Sequence, residues 1–213
     1  MATCYKLVYF PVRARAEHIR LMLEDLKLPY EMEIIPKENW RAYRDAAKGT
    51  AALPFGQLPI LRYGEFTLAQ SGAIARFLAR KYNLYGCSEK EMAMCDMVYE
   101  TVRDIFEVYD AFILDSQRAS KEEKFYMDIS QRLNNLEKFV QYQNADYSVC
   151  NTPTFADYWL EEQLDYLLRI KSSILHGRNA LQRVYHNMRS RPNIEAYLKS
   201  ERRIDKPVPV DDA

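Results

Sequence analysis

Strand-like and helix-like spacings alternate along the first third of the chain. Residues 5–10 (YKLVYF) are rich in β-formers, and Pro11 follows where a strand has to stop, since proline offers no N–H to a ladder. From Arg13 to Leu28 the period lengthens. Ile19, Met22, Leu23 and Leu26 recur at i, i+3, i+4 and i+7, with Arg13, Arg15, Glu17 and Lys27 elsewhere on the wheel, which predicts an amphipathic helix. Residues 30–35 (YEMEII) return to alternation and predict a second strand, parallel to the first because a helical crossover separates the two. Residues 36–56 are interrupted by Pro36, Gly49, Pro54 and Gly56 and predict one irregular helix around Trp40 to Ala47. Leu58 to Arg62 and Glu65 to Leu68 flank Tyr63-Gly64 as a tight hairpin. Ser71 precedes Ile74, Phe77 and Leu78 as the N-cap of a helix ending near Gly86.

After Gly86 no strand pattern remains, and 3.6-residue periodicity predicts helices over roughly 89–115, 121–142, 155–170, 178–189 and 192–200. Thr154 and Asp157 fit a capping box at the third of these. The fold class is therefore α/β plus all-α: a β-α-β-α-β-β-α domain over residues 1–84, then an all-helical domain over 88–213 that ends in an extended tail, KPVPVDDA.

Composition narrows the class. With 48% hydrophobic and 13% aromatic residues in 213, the chain can bury a large core, which excludes intrinsic disorder. Thirty basic and thirty acidic residues cancel, removing the phosphate attraction of most nucleic-acid binders and the polybasic dock of a membrane-surface protein. No stretch approaches the ~18 apolar residues of a membrane span, and Met-Ala-Thr-Cys-Tyr-Lys lacks the basic flank and apolar block of a signal peptide, so a cytoplasmic location is expected. Cys4, Cys87, Cys95 and Cys150 form no CxxC pair and no zinc spacing; reduced, mostly buried thiols and no metal are expected.

Four strings then line up in order: Tyr9-Phe10-Pro11-Val12-Arg13-Ala14-Arg15, Phe55-Gly56-Gln57-Leu58-Pro59, Gln70-Ser71-Gly72-Ala73-Ile74 and Thr154-Phe155-Ala156-Asp157, with Leu84-Tyr85-Gly86 at the domain junction. In this order the set resembles the cytosolic glutathione S-transferases, whose first domain is thioredoxin-like; the pi class is most similar and the sigma class second. Ala14 stands where those classes usually carry Gly.

The resemblance implies a site for glutathione, a tripeptide with two carboxylates, an amine and a thiol. Tyr9, at the end of the first strand, is the implied thiol activator, together with Arg15. Lowering a thiol pKa near ~8.5 by about two units needs ~3 kcal/mol of preference for the anion. A charge-assisted hydrogen bond beside a helix N-terminus is of that order. Gln57, Leu58 and Pro59 are implied to hold the cysteinyl unit along a backbone edge, with a cis Leu58–Pro59 bond turning Leu58 toward the ligand. Gln70 and Ser71 would take the γ-glutamyl carboxylate at a helix N-terminus. Trp40 and Lys48 fall where the family contacts the glycyl end. The spacing from Trp40 to Phe55 is about four residues longer than in the family, so Arg44 competes with Lys48.

Asp104 matches an acid that in pi-like enzymes reaches the glutathione amine across a homodimer, and Phe55 resembles an aromatic key between subunits. Phe10, Val12, Asp110, Leu114 and the tail after Ile204 match the electrophile pocket; pi-like enzymes carry Tyr at the position of Leu114, and Tyr109 lies one helical step away. The implied function is conjugation of the glutathione thiolate to hydrophobic electrophiles, with glutathione as co-substrate and no other cofactor, no nucleic acid and no membrane partner. The alternatives are a sigma-like prostaglandin isomerase and a non-catalytic crystallin-like or ligand-carrier relative.

Overall fold

The computed structural model describes residues 4–206. They form two compact units, residues 4–81 with 192–206 and residues 82–191. The single boundary expected near residues 84–88 therefore accounts for only one crossing, because the last helix returns to the first unit.

In the first unit, β1 (Tyr5–Tyr9), β2 (Tyr30–Ile34), β3 (Ile60–Tyr63) and β4 (Phe66–Ala69) make one mixed sheet in the order β2-β1-β3-β4. The β1–β2 pair is parallel and the other two are antiparallel, as the helical crossover and the hairpin require. The first helix differs from its expected span. A 3₁₀ turn at Ala14–Ala16 precedes α1 (Glu17–Asp25), and all nine α1 residues are buried, the charged ones included. α8 (Pro192–Leu198) packs on α1, with Tyr197 bonding Glu17 at 3.1 Å and Asn193 bonding the Asp25 carbonyl at 2.7 Å. α2 (Trp40–Ala47) covers the other face of the sheet and buries no residue fully. α3 (Ser71–Lys81) stops at Lys81 rather than near Gly86, and Ser71 is its first residue instead of its cap. The Gln70 carbonyl takes the first helical bond, from the Ile74 N–H at 2.9 Å.

The second unit holds α4 (Glu89–Ile113), α5 (Glu122–Gln143), α6 (Phe155–Ile170) and α7 (Asn179–Arg189). α6 is its centre and buries every residue from Phe155 to Leu167. It starts where expected: Asp157 Oδ2 accepts from the Thr154 N–H at 2.7 Å and from its hydroxyl at 2.8 Å, and Oδ1 accepts from the Ser148 N–H at 2.9 Å. A cap of this kind contributes ~1 kcal/mol or more. Rings from α4 pack on α6, Phe106 tilted against Trp159 at 5.2 Å and Tyr109 stacked on Tyr166 at 5.0 Å. All four cysteines are free, but Cys4 and Cys87 are exposed and Cys150 is half-buried; only Cys95, on the inner face of α4, fits the expectation of burial. Among the described residues no helix is long and apolar enough to cross a membrane.

Candidate active site

β1 delivers Tyr9 at its C-terminal end, 5% exposed. The chain then turns sharply, with the Val12 N–H on the Phe10 carbonyl at 2.8 Å. It enters the 3₁₀ turn through Ala14 at φ 32°, a left-handed conformation that costs a residue with a Cβ about 1 kcal/mol. That strain accounts for the glycine usual at this position. The turn aims the Arg15 N–H at the Tyr9 phenol oxygen, 3.3 Å away. An oxygen that accepts there can direct its own O–H elsewhere, which is the polarity a thiolate needs.

The turn is fixed from behind by buried charges and by the segment from Tyr197 to Lys206. Arg20 Nη1 donates to the Val12 carbonyl at 3.1 Å and to Glu17 Oε2 at 2.8 Å. Tyr197 holds Glu17 Oε1, and the Arg13 N–H donates to the Lys206 carbonyl at 2.8 Å. Burial, then the Glu17 carboxylate, raises the Tyr197 phenol pKa, so it remains a neutral donor. His18 is fully buried beside Arg15 and Arg20 and hydrogen-bonds the Ser71 backbone; burial brings its pKa down to about 3, so the imidazole is neutral at working pH.

A cavity of about 500 Å³ opens in the first unit, lined by Phe10, Arg15, Trp40, Arg44 and the Gly56–Pro59 and Gln70–Ser71 segments. That volume suits a ligand of tripeptide size. One wall is the Leu58–Pro59 segment, whose peptide bond is cis. Another is the start of α3, where Gln70 sits at φ 71° and its amide nitrogen donates to Gln57 Oε1 at 3.1 Å. The unpaired N–H groups and positive end of an eleven-residue helix face an anion there favourably. The third wall is α2, which contributes Trp40 and Arg44.

The candidate residues are therefore not all gathered in one place. Arg15, Trp40, Gln57, Leu58, Pro59, Gln70, Ser71 and Phe10 line the cavity. Tyr9 is not part of this lining but touches two of its members, its hydroxyl accepting from the Arg15 N–H at 3.3 Å and its ring lying 5.4 Å from that of Phe10. Lys48 does not line it: its stem lies against Gly56, where a Cβ would meet Lys48 Cγ at 3.1 Å, whereas Arg44 is among the lining residues. Gly56, unassigned from the sequence, joins the lining at φ 62°. Val12 is buried beneath the turn. Asp104, Asp110 and Leu114 belong to the second unit, Asp104 exposed on α4, Asp110 half-buried and Leu114 exposed just past the helix end. Tyr109 is buried in that unit against Tyr166. The tail beyond Lys206 lies outside the described residues. No group of three or more His, Cys, Asp or Glu suited to a metal occurs among the described residues.

A mixed β2-β1-β3-β4 sheet with a tyrosine at the end of β1 and a helix start beside a cis-proline edge is the arrangement that the resemblance to glutathione S-transferases implies, and the comparisons with known proteins agree. Residues 14–81 match the family model of the glutathione S-transferase N-terminal domain, and residues 103–201 that of the C-terminal domain. The glutathione S-transferase P of Caenorhabditis elegans is 36% identical, over 95% of this chain and 96% of its own. Glutathione S-transferase P 1 of Xenopus laevis is 34% identical over 96% of each. The solved Pi-class glutathione S-transferase of Onchocerca volvulus has a TM-score of 0.82 at 32% identity, covering 93% of this chain and 92% of that one. The chain belongs to the glutathione S-transferase family.

Proposed function

We propose that this chain is a pi-like glutathione transferase that ionises the glutathione thiol beside Tyr9 and passes the thiolate to hydrophobic electrophiles. The observation that carries the reading is the hydrogen bond to the Tyr9 phenol from the backbone N–H of Arg15, a residue that lines a cleft of tripeptide size. In this reading Gln70, Ser71 and the α3 N-terminus take the γ-glutamyl carboxylate, and the Leu58 backbone pairs with the cysteinyl unit as an added strand. Arg44 and Trp40 meet the glycyl end. Arg15 supplies positive charge near the sulfur. Catalysis is then positioning and anion stabilisation, with glutathione as co-substrate and no metal or further cofactor. Phe10, which lines the cleft, serves the electrophile.

The working form is a cytoplasmic homodimer. Phe55 is 64% exposed, and the second unit carries an apolar recess of about 140 Å³ lined by Met97, Val98, Thr101, Asn135, Leu136 and Phe139. A two-fold pair that sets each Phe55 into that recess on the other copy covers both, and the partner's Asp104 would reach the glutathione amine. Retention on glutathione resin, followed by steady-state conjugation of a panel of aryl halides, epoxides and enones, tests the proposal. A protein that neither binds the resin nor conjugates any of them is not a transferase. Product analysis with a prostaglandin endoperoxide separates the isomerase reading.

A further inference from the structure

α2 is the least buried wall of the cleft. None of its eight residues is buried, yet it carries both Trp40 and Arg44. Trp40, Tyr43 and Ala47 rest on the Val8, Ile35, Leu53, Ile60 and Ala69 cluster, each only partly covered. A helix this short has little stability of its own, so its contacts set its position.

One of those contacts is a fork from the sheet. Arg62 on β3 donates through Nη1 to Glu33 Oε2 on β2 at 3.0 Å, and through Nη2 to the Tyr43 hydroxyl on α2 at 2.9 Å. The register places the parts correctly. Val8 pairs with Glu33 on one side and Ile60 on the other, and Arg62 lies two residues beyond Ile60, so Glu33 and Arg62 share the face of the sheet that α2 covers. The side chains of Arg62 and Glu33 are 28% and 32% exposed, partly withdrawn from water, and burial raises the Tyr43 phenol above its ordinary range. A planar guanidinium can serve two acceptors on different elements at a fixed angle, whereas a lysine ammonium is a single point charge. Arg62 itself lines no part of the cleft.

We propose that Arg62 is a positioning residue that latches α2 to the sheet, holds Arg44 and Trp40 against the glycyl end of glutathione, and thereby makes the enzyme select glutathione over shorter γ-glutamyl thiols. This rests on reading the cleft as the glutathione site. The γ-glutamyl and thiol subsites stand on β1, the Leu58–Pro59 edge and α3, none of which the fork touches. Loosening α2 therefore penalises only a thiol that carries a glycyl residue. Glutathione and γ-glutamylcysteine differ by that residue alone.

The test is kcat and KM for both thiols, at saturating aryl halide, on the full chain and on Arg62→Met, Arg62→Lys and Tyr43→Phe. Arg62→Met should raise the KM for glutathione about five- to tenfold, while kcat and the KM for γ-glutamylcysteine stay within about twofold. Tyr43→Phe, which keeps the ring and loses one hydroxyl, should raise it about two- to threefold, and Arg62→Lys should fall between the parent and Arg62→Met. Equal KM increases for both thiols, or no change for either, overturn the latch. If the Arg62 variants fail to fold, Tyr43→Phe decides by the same two comparisons. A parent that conjugates neither thiol overturns the reading of the cleft and the latch with it.

Discussion

Replacing Tyr9 by Phe keeps the ring in a site only 5% exposed, so the perturbation is confined to one hydroxyl. As an acceptor that hydroxyl has a long bond from the Arg15 N–H, at 3.3 Å, and losing it costs the fold little. As a donor to a thiolate it is worth far more, since a hydrogen bond to a charged group contributes ~1.5–3 kcal/mol. At ~1.36 kcal/mol per pKa unit this corresponds to ~1–2 units. With an unassisted thiol near ~8.5, bound glutathione ionises near ~6.5–7.5 in the parent and near ~8.5 in Tyr9→Phe. At about pH 6.5 the thiolate fraction, and with it turnover, falls roughly 10- to 50-fold. By about pH 9.5 both forms are ionised and the rates converge. The assay is a pair of kcat–pH profiles with a simple aryl halide at saturating glutathione, whose KM should move less than about twofold because the tripeptide's contacts are intact. Two profiles with the same apparent pKa that differ only in height refute the reasoning, and Arg15 becomes the candidate activator.

Phe55→Ala should weaken the dimer at least about 30-fold, moving the mass in sedimentation equilibrium from twice 25.1 kDa toward a single chain; an unchanged dimer places the ring outside the interface. Arg44→Met should raise the glutathione KM about fivefold while Lys48→Met stays within about twofold, and the reverse pattern returns Lys48 to the glycyl end. His18 titrates near 6.5 in the unfolded chain and near 3 in the fold, chiefly because it is buried. The unfolded state therefore binds the extra proton between those values, and stability that is complete above pH ~6.5 is lost on acidification by up to ~1.4 kcal/mol per unit. Urea unfolding at about pH 7 and pH 5 should show the parent losing ~2 kcal/mol more than His18→Gln, and parallel losses would remove His18 from the acid limb.

Period and punctuation placed most elements because each element's local pattern agrees with its burial. β1, β2, the hairpin and α4 to α7 follow their spacings closely, and the Thr154–Asp157 box forms as its residue types dictate. α1 did not follow, because what covers it is far away in sequence. Arg13 and Glu17 read as lying off the apolar face of an amphipathic helix, yet both are buried, as are His18 and Arg20, and Tyr197 reaches Glu17 from 180 positions later. No local window contains that information. Which of Lys48 and Arg44 lines the cleft was likewise beyond spacing, since it depends on how the stretch between α2 and β3 folds back so that Lys48 packs on Gly56. In the sequence Arg62 marks no more than the end of a strand, and only the sheet order brings it beside Glu33 and Tyr43.

The buried Glu17–Arg20 pair shows why a costly arrangement persists beside the site. Desolvating two charges is expensive, and a well-packed apolar pair of similar volume is often as stable or more so. An apolar pair could not do what Arg20 does with its second contact, which is to hold the Val12 carbonyl at 3.1 Å. That carbonyl lies in the turn between Tyr9 and Arg15, where Ala14 is in a left-handed conformation that the local chain alone disfavours. Without Arg20 below and the Lys206 carbonyl on the Arg13 N–H above, the turn could relax, and the Arg15 N–H would lose its aim at the Tyr9 oxygen. The charge pair is thus explained by the geometry of the turn rather than by stability, and the C-terminal segment from α8 to Lys206 helps hold the turn that aims the Arg15 N–H at the Tyr9 oxygen.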